Sequence, residues 1–287
     1  MGDNQSVARI RPAAVAGMFY PREPLALREA LDAAYRSPLG PGVRSPISTP
    51  AREVFGLICP HAGYIYSAPA AAWSFAQIST AARPEAVVLL GVNHRSAGAS
   101  IALSDVTAWE TPLGVVPVAH DLGVRLRELE PSVVVDEYAH RQEHSLEVQL
   151  PFIQALFGET MILPIVLAHP VWDTVFRLGM ALSKLAADHR LLFVASTDFS
   201  HYLPQREAEK LDQLALAQIA SVDPDGLLAV VQRMGITMCG VLPVTALLIA
   251  ARGAGIHTGT ILHYHTSGDV TGDRQEVVGY GAAVLYR

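Results

Sequence analysis

Four stretches of this chain are apolar at nearly every position: residues 54–58, 86–90, 161–167 and 191–195. Between them, apolar residues recur at three- and four-residue spacing, as in Leu27, Ala30, Leu31, Ala34 and Tyr35, which lie on one face of a helix. The same reading predicts helices over 145–157, 171–186 and 240–251. A strand apolar on both faces must be covered on both, and helices alternating with such strands provide the cover. The pattern therefore predicts an α/β fold: a mixed, largely parallel central sheet with helices on both faces. Two more strand-like runs, 258–264 and 277–286, have no helix between them, which adds antiparallel pairing. Residues 37–50 carry four prolines and two glycines without periodicity and read as a loop. The segment before that loop is too small to bury a core of its own, so residues 1–287 read as one domain.

Composition narrows the function. The formal net charge is −6 and the basic residues do not cluster, which argues against a nucleic-acid binder. The C-terminal apolar stretch 241–251 contains Pro243 and is too short to span a bilayer, so no membrane association is expected. The polar residues 1–9 precede no secretory apolar core, and two cysteines, Cys59 and Cys239, read as reduced thiols; both point to the cytoplasm. Residues 1–6 also fit a myristoylation pattern short enough to arise by chance.

The polar residues with chemistry gather where buried strands end. Residues 54–58 run into His61, 86–90 into His94, and 191–195 into Asp198 and His201. In an open parallel sheet the carboxyl ends of the strands face the ligand crevice, so neighbouring parallel strands would bring these histidines to one cleft. Cys239 precedes an apolar helical stretch; a helix N-terminus there would favour a thiolate, while a lone cysteine by itself reads first as a small buried hydrophobe. Cys59, at the end of an apolar strand, reads as structural. His140, Glu143 and His144 spell H-x-x-E-H, an inverted zinc-peptidase pattern with only three fixed positions. The stretch from Glu143 onward reads better as a helix start with acidic residues in its first turn.

Seven segments together resemble the ordered signature of the Memo family: RPAAVAGMFYP at 11–21, PHAGY at 60–64, GVNH at 91–94, EHSLE at 143–147, STDFSHY at 196–202, CG at 239–240 and TSGD at 266–269. The resemblance implies a fold similar to the class III extradiol dioxygenases, non-haem iron enzymes that open catechol rings. It places His61, His94 and Cys239 at metal-ligand positions and His201 at the acid/base position, with Asp198 beside it in the pocket. The implied cofactor is one metal ion, iron(II) first, with copper or zinc as alternatives. Tyr64, Tyr66 and Tyr202 flank the cleft histidines and, with His144, are the candidate contacts to a small aromatic substrate. The family also includes signalling members that bind phosphotyrosine peptides, and bacterial members that accompany a radical-SAM protein. A thiolate at the third ligand position departs from the carboxylate of the ring-cleaving pattern. It is a softer donor, suited to copper(I), zinc or a more covalent iron site.

Overall fold

The apolar runs form the middle of a nine-stranded sheet. The computed structural model describes residues 9–43, 53–79 and 83–287; the N-terminal 1–6 pattern and part of the proline-rich loop lie outside these. The first half of the chain forms β1 (Ile10–Arg11), α1 (Pro24–Arg36), β2 (Val54–Cys59), α2 (Tyr64–Phe75), β3 (Ala86–Val92), β4 (Ile101–Leu103), β5 (Ala108–Thr111), β6 (Gly114–Pro117), α3 (His120–Leu129) and β7 (Val134–Val135). The second half forms α4 (Leu150–Phe157), β8 (Met161–Leu167), α5 (Trp172–Asp188), β9 (Leu191–Ser196), β10 (His201–Leu203), α6 (Gln205–Ala220), α7 (Pro224–Met234), α8 (Val241–Gly253), β11 (Gly259–Thr266), α9 (Ser267–Thr271) and β12 (Val277–Tyr286).

The sheet runs β10-β12-β2-β9-β3-β8-β4-β7, with β11 paired to β12. At its centre β2, β9, β3 and β8 are parallel neighbours. Strand β12 is antiparallel to β2, β10 and β11, and β4 is antiparallel to β8, so the mixed character comes from the margins. Alternate residues of the central strands feed two cores. Val88, Leu90, Phe193 and Ala195 pack with Leu178 and Leu182 of α5 and Leu247 of α8. Val87, Leu89, Leu192 and Val194 pack on the other face with Leu27 and Leu31 of α1, Phe75 of α2 and Phe152 of α4. Each such fully buried side chain contributes about 1.5–3 kcal/mol of transfer free energy. This is the expected α/β architecture. Among the described residues no helix is long and apolar enough to cross a membrane.

One expected boundary moves. The helix read from residue 145 begins at Leu150, after a single 3-10 turn at Glu147–Gln149, and residues 140–146 form turns. The two acids are turned inward and serve no helix dipole. The Glu147 carboxylate is buried and accepts bonds from Arg11 Nη1 (2.6 Å), the Ala14 and Val15 backbone N–H (2.8 and 3.0 Å) and the Tyr20 hydroxyl (2.7 Å). An inward carboxylate with this many donors ties its backbone to residues 11–20, and Pro151 then starts α4 in the first turn, where its missing N–H costs nothing.

Candidate metal centre

Because β2, β9 and β3 are adjacent and parallel, their carboxyl ends deliver His61, the 197–200 segment and His94 to one place. Helix α8 brings the fourth component. Gly240 caps it so close to β9 that a Cβ would lie 2.4 Å from the Ser196 carbonyl oxygen, so only glycine lets Cys239 reach the strand ends. Ligand atoms of His61, His94 and Cys239 all lie within 4.8 Å of one another. The Cys239 Sγ is 3.2 Å from His61 Nε2, and the rings of His61 and His94 meet edge to face at 5.1 Å.

Each donor is anchored away from the cluster. His61 Nδ1 is 2.9 Å from Ser196 Oγ, and the His61 backbone N–H donates to Asp198 Oδ1 at 2.8 Å. His94 Nδ1 lies 2.9 Å from Glu143 Oε1. The Asp198 backbone N–H donates to Cys239 Sγ at 3.3 Å. Burial, with His94, His144 and His201 nearby, holds His61 well below the ordinary imidazole range, so it is neutral at pH 7. Burial and the neighbouring Asp198 push the Cys239 thiol upward, and burial likewise raises Asp198. One buried imidazole, one exposed imidazole and a thiol, each bonded to protein away from the cluster, form a donor set that fits a transition metal.

His144 stacks on His94 at 4.6 Å and meets His61 edge-on at 5.5 Å. Burial is the largest influence on His144 and carries it down to about 4 against the pull of Glu143. Ligand atoms of His94, Glu143 and His144 also cluster. However, Glu143 already accepts the backbone N–H of His94, His144 and Ser145, each at 2.8 Å, besides the His94 ring, which leaves its lone pairs committed. His201, half-buried, sits 2.9 Å by Nδ1 from the Thr237 carbonyl and acts electrostatically on both His61 and Asp198.

The structure thus brings together His61, His94, Cys239, Asp198, His144 and His201. The tyrosines differ. Tyr64 is buried and donates its hydroxyl to the Val148 carbonyl at 2.7 Å. Tyr66 lines a groove at the start of α2, and Tyr202 is 72% exposed with φ +59°, in the left-handed region that side chains rarely adopt. That groove, of about 560 Å³, runs between α1, residues 17–21 and the start of α2. Phe19 joins it to the histidines, its ring 4.5 Å from that of His144. The H-x-x-E-H pattern does not assemble: His140 is fully buried, its Nε2 3.0 Å from the Ala102 carbonyl, while Glu143 serves His94. The partners of Ser196, Gln149 and Thr237 carry no sequence signal, since each lies far along the chain from the histidine it touches or supports.

The fold and sequence have clear relatives. A solved structure of an uncharacterized Escherichia coli protein superimposes with a TM-score of 0.51 at 16% identity, covering 80% of this chain and 99% of that one, a likeness of fold. A MEMO1 family protein of Methanopyrus kandleri is 38% identical, covering 96% of this chain and 99% of its own. One from Pyrobaculum arsenaticum is also 38% identical, over 97% and 100%, and one from Ignicoccus hospitalis is 40% identical, over 95% and 97%. The family model described as Memo-like protein matches residues 11–284. With a match of that extent and relatives this similar along almost their full length, the chain belongs to the Memo-like family.

Proposed function

We propose that this chain is a metal-dependent oxidoreductase of the non-haem type. In this reading residues 1–287 act as one domain in the cytoplasm, and His61, His94 and Cys239 hold a single iron(II) where a small catechol or phenol is oxidised with dioxygen. The observation that carries the reading is the convergence of two imidazoles and one thiol on a point inside 4.8 Å, at the carboxyl ends of three parallel strands. The thiol makes copper and zinc the alternative metals. When bound, iron(II) would supply redox chemistry toward dioxygen and a Lewis acid for a phenolate oxygen.

The protein's own groups take the remaining tasks. A carbonyl only accepts, so the 2.9 Å contact to Thr237 puts the His201 proton on Nδ1 and leaves the Nε2 lone pair to take a proton from a substrate hydroxyl. Asp198, buried between His61 and Cys239, supports the proton on His201 electrostatically once it arrives. His144, whose ring meets those of His61 and His94, would hold the aromatic ring together with Tyr66 and Tyr202, with Tyr64 as a further contact. Metal analysis of freshly purified protein, followed by oxygen uptake of anaerobically iron-loaded protein across a panel of catechols, tests the proposal. Absence of bound iron, copper and zinc together with no uptake would refute it.

A second reading is favoured by the groove, where Met18 and Ile65 are each 72% exposed and which Phe19 joins to His144. An apolar groove next to a cluster of histidines, whose ring nitrogens offer hydrogen bonds, suits an aromatic or phosphorylated peptide bound without turnover. Peptide binding that persists without metal, with no oxygen uptake, would select it.

A further inference from the structure

We infer that the segment from Glu143 to Gln149 is a positioning element that fixes which ring nitrogen carries the proton in both His61 and His94, a role that rests on the metal-binding reading above. The protons follow from the identity of each partner. Ser196 Oγ has three polar neighbours. The Ser145 carbonyl, at 2.7 Å, can only accept, so the single hydroxyl proton of Ser196 points there. Gln149 Nε2, at 3.0 Å, can only donate, and its orientation is set by the Pro60 carbonyl at 2.9 Å, which needs a donor. What remains on Ser196 is a lone pair, and the neighbour left to it is His61 Nδ1 at 2.9 Å. His61 therefore carries its proton on Nδ1 and presents the Nε2 lone pair toward Cys239.

His94 reaches the same state by a different route. Both Glu143 oxygens already accept backbone N–H groups, Oε2 that of His94 and Oε1 those of His144 and Ser145, each at 2.8 Å, so the carboxylate faces the ring as an acceptor. The ring nitrogen 2.9 Å from it, Nδ1, must be N–H, which frees Nε2. A histidine ligand needs a lone pair on the nitrogen that faces the metal, and a hydrogen bond at the other nitrogen is what selects it.

One short stretch thus reaches both ligand loops. It is itself held in place: Arg11, buried, donates from Nη2 to the Glu143 carbonyl (2.7 Å), from Nε to the His140 carbonyl (2.8 Å) and from Nη1 to Glu147 (2.6 Å). Ser145 is pinned to the end of β3, donating to the Val92 carbonyl at 2.9 Å and accepting the Val92 N–H at 3.1 Å. Glu143 and Ser196 touch the rings on the side away from the cluster, so they are positioning residues and not ligands.

The experiment reads the rings directly. Long-range proton–nitrogen NMR spectra of the metal-free protein should show His61 and His94 each as a single Nδ1–H tautomer. Ser196→Ala should release His61 alone, and Glu143→Gln, nearly isosteric, should release His94 alone. Each substitution should weaken zinc(II) binding, measured by chelator competition, by about 10- to 100-fold. Failure of one variant to fold leaves the other ring to decide. Nε2–H or mixed tautomers in the parent, or variants that leave the tautomers and the zinc affinity unchanged, would overturn the inference. A parent with both rings in the Nδ1–H form but no zinc affinity would instead overturn the metal-binding reading.

Discussion

If Cys239 binds metal as a thiolate, the metal must displace a proton. Burial and Asp198 hold the metal-free thiol protonated, above its ordinary range, so at pH 7–9 nearly every binding event at Cys239 releases one proton. His61 is already neutral there and contributes none. The sign follows: a raised thiol pKa makes binding weaker at low pH and stronger as pH rises. One proton released means a tenfold gain in apparent affinity per pH unit, or about 1.4 kcal/mol. Cys239→Ser removes the ionisable donor, so its pH slope should be shallower than the parent's by about one decade per unit, whatever other groups contribute to both. Zinc(II) or cobalt(II) competition titrations from pH 7 to 9 measure both slopes, and thiolate–cobalt charge-transfer absorbance reports the sulfur ligand in the parent. Parallel slopes for parent and serine proteins would refute the reasoning and leave Cys239 a packing residue.

Other outcomes follow from the same geometry. His61→Ala removes one of three donors and should strongly reduce metal content by elemental analysis, whereas His140→Ala, at a ring tied to the Ala102 carbonyl, should retain it. His201→Ala should keep the metal and lower catechol-dependent oxygen uptake by about 10²- to 10⁴-fold, the usual cost of a lost general acid or base. Equal loss of metal would make His201 a ligand instead. Glu147→Ala leaves the buried Arg11 guanidinium and two backbone N–H groups without their acceptor, and urea denaturation should show a loss of about 3–5 kcal/mol. A change under 1 kcal/mol would mean that water or neighbouring carbonyls replace it.

The legible parts of this chain are those where burial leaves a mark on composition. Strands such as Ala86–Val92 must be apolar on both faces, and they stand out. Helix α2 does not: it is apolar nearly all round, carries Pro69 in its interior, and has no amphipathic stripe to betray it. The short strands β4, β7 and β10 have two or three residues each, too few for a period to register. In the same way His61 and His94 are visible because they follow visible strands. Glu143 is visible in the EHSLE segment and in a misleading pattern, yet neither discloses its partner, because its bond to His94 spans 49 residues and joins two loops. The misplaced start of α4 has the same origin: Glu143 and Glu147 are acids of the kind that open a helix, and nothing local reveals that their partners are His94 and Arg11.

The position of β12 carries a consequence for how the centre comes into being. This strand lies between β2 and β10, and Gly279 exchanges backbone bonds with the segment behind His201, accepting from the Phe199 N–H and donating to the Ser200 carbonyl, each at 2.9 Å. The loop that carries Asp198 and His201 therefore has no seat until residues 277–286 are in place. On the ribosome, His61 and His94 emerge long before that strand, and Cys239 well before it. A nascent chain would expose the candidate donors without the enclosure that orients them, so any metal binding at this centre would follow the folding of residues 277–286 rather than the emergence of the donors.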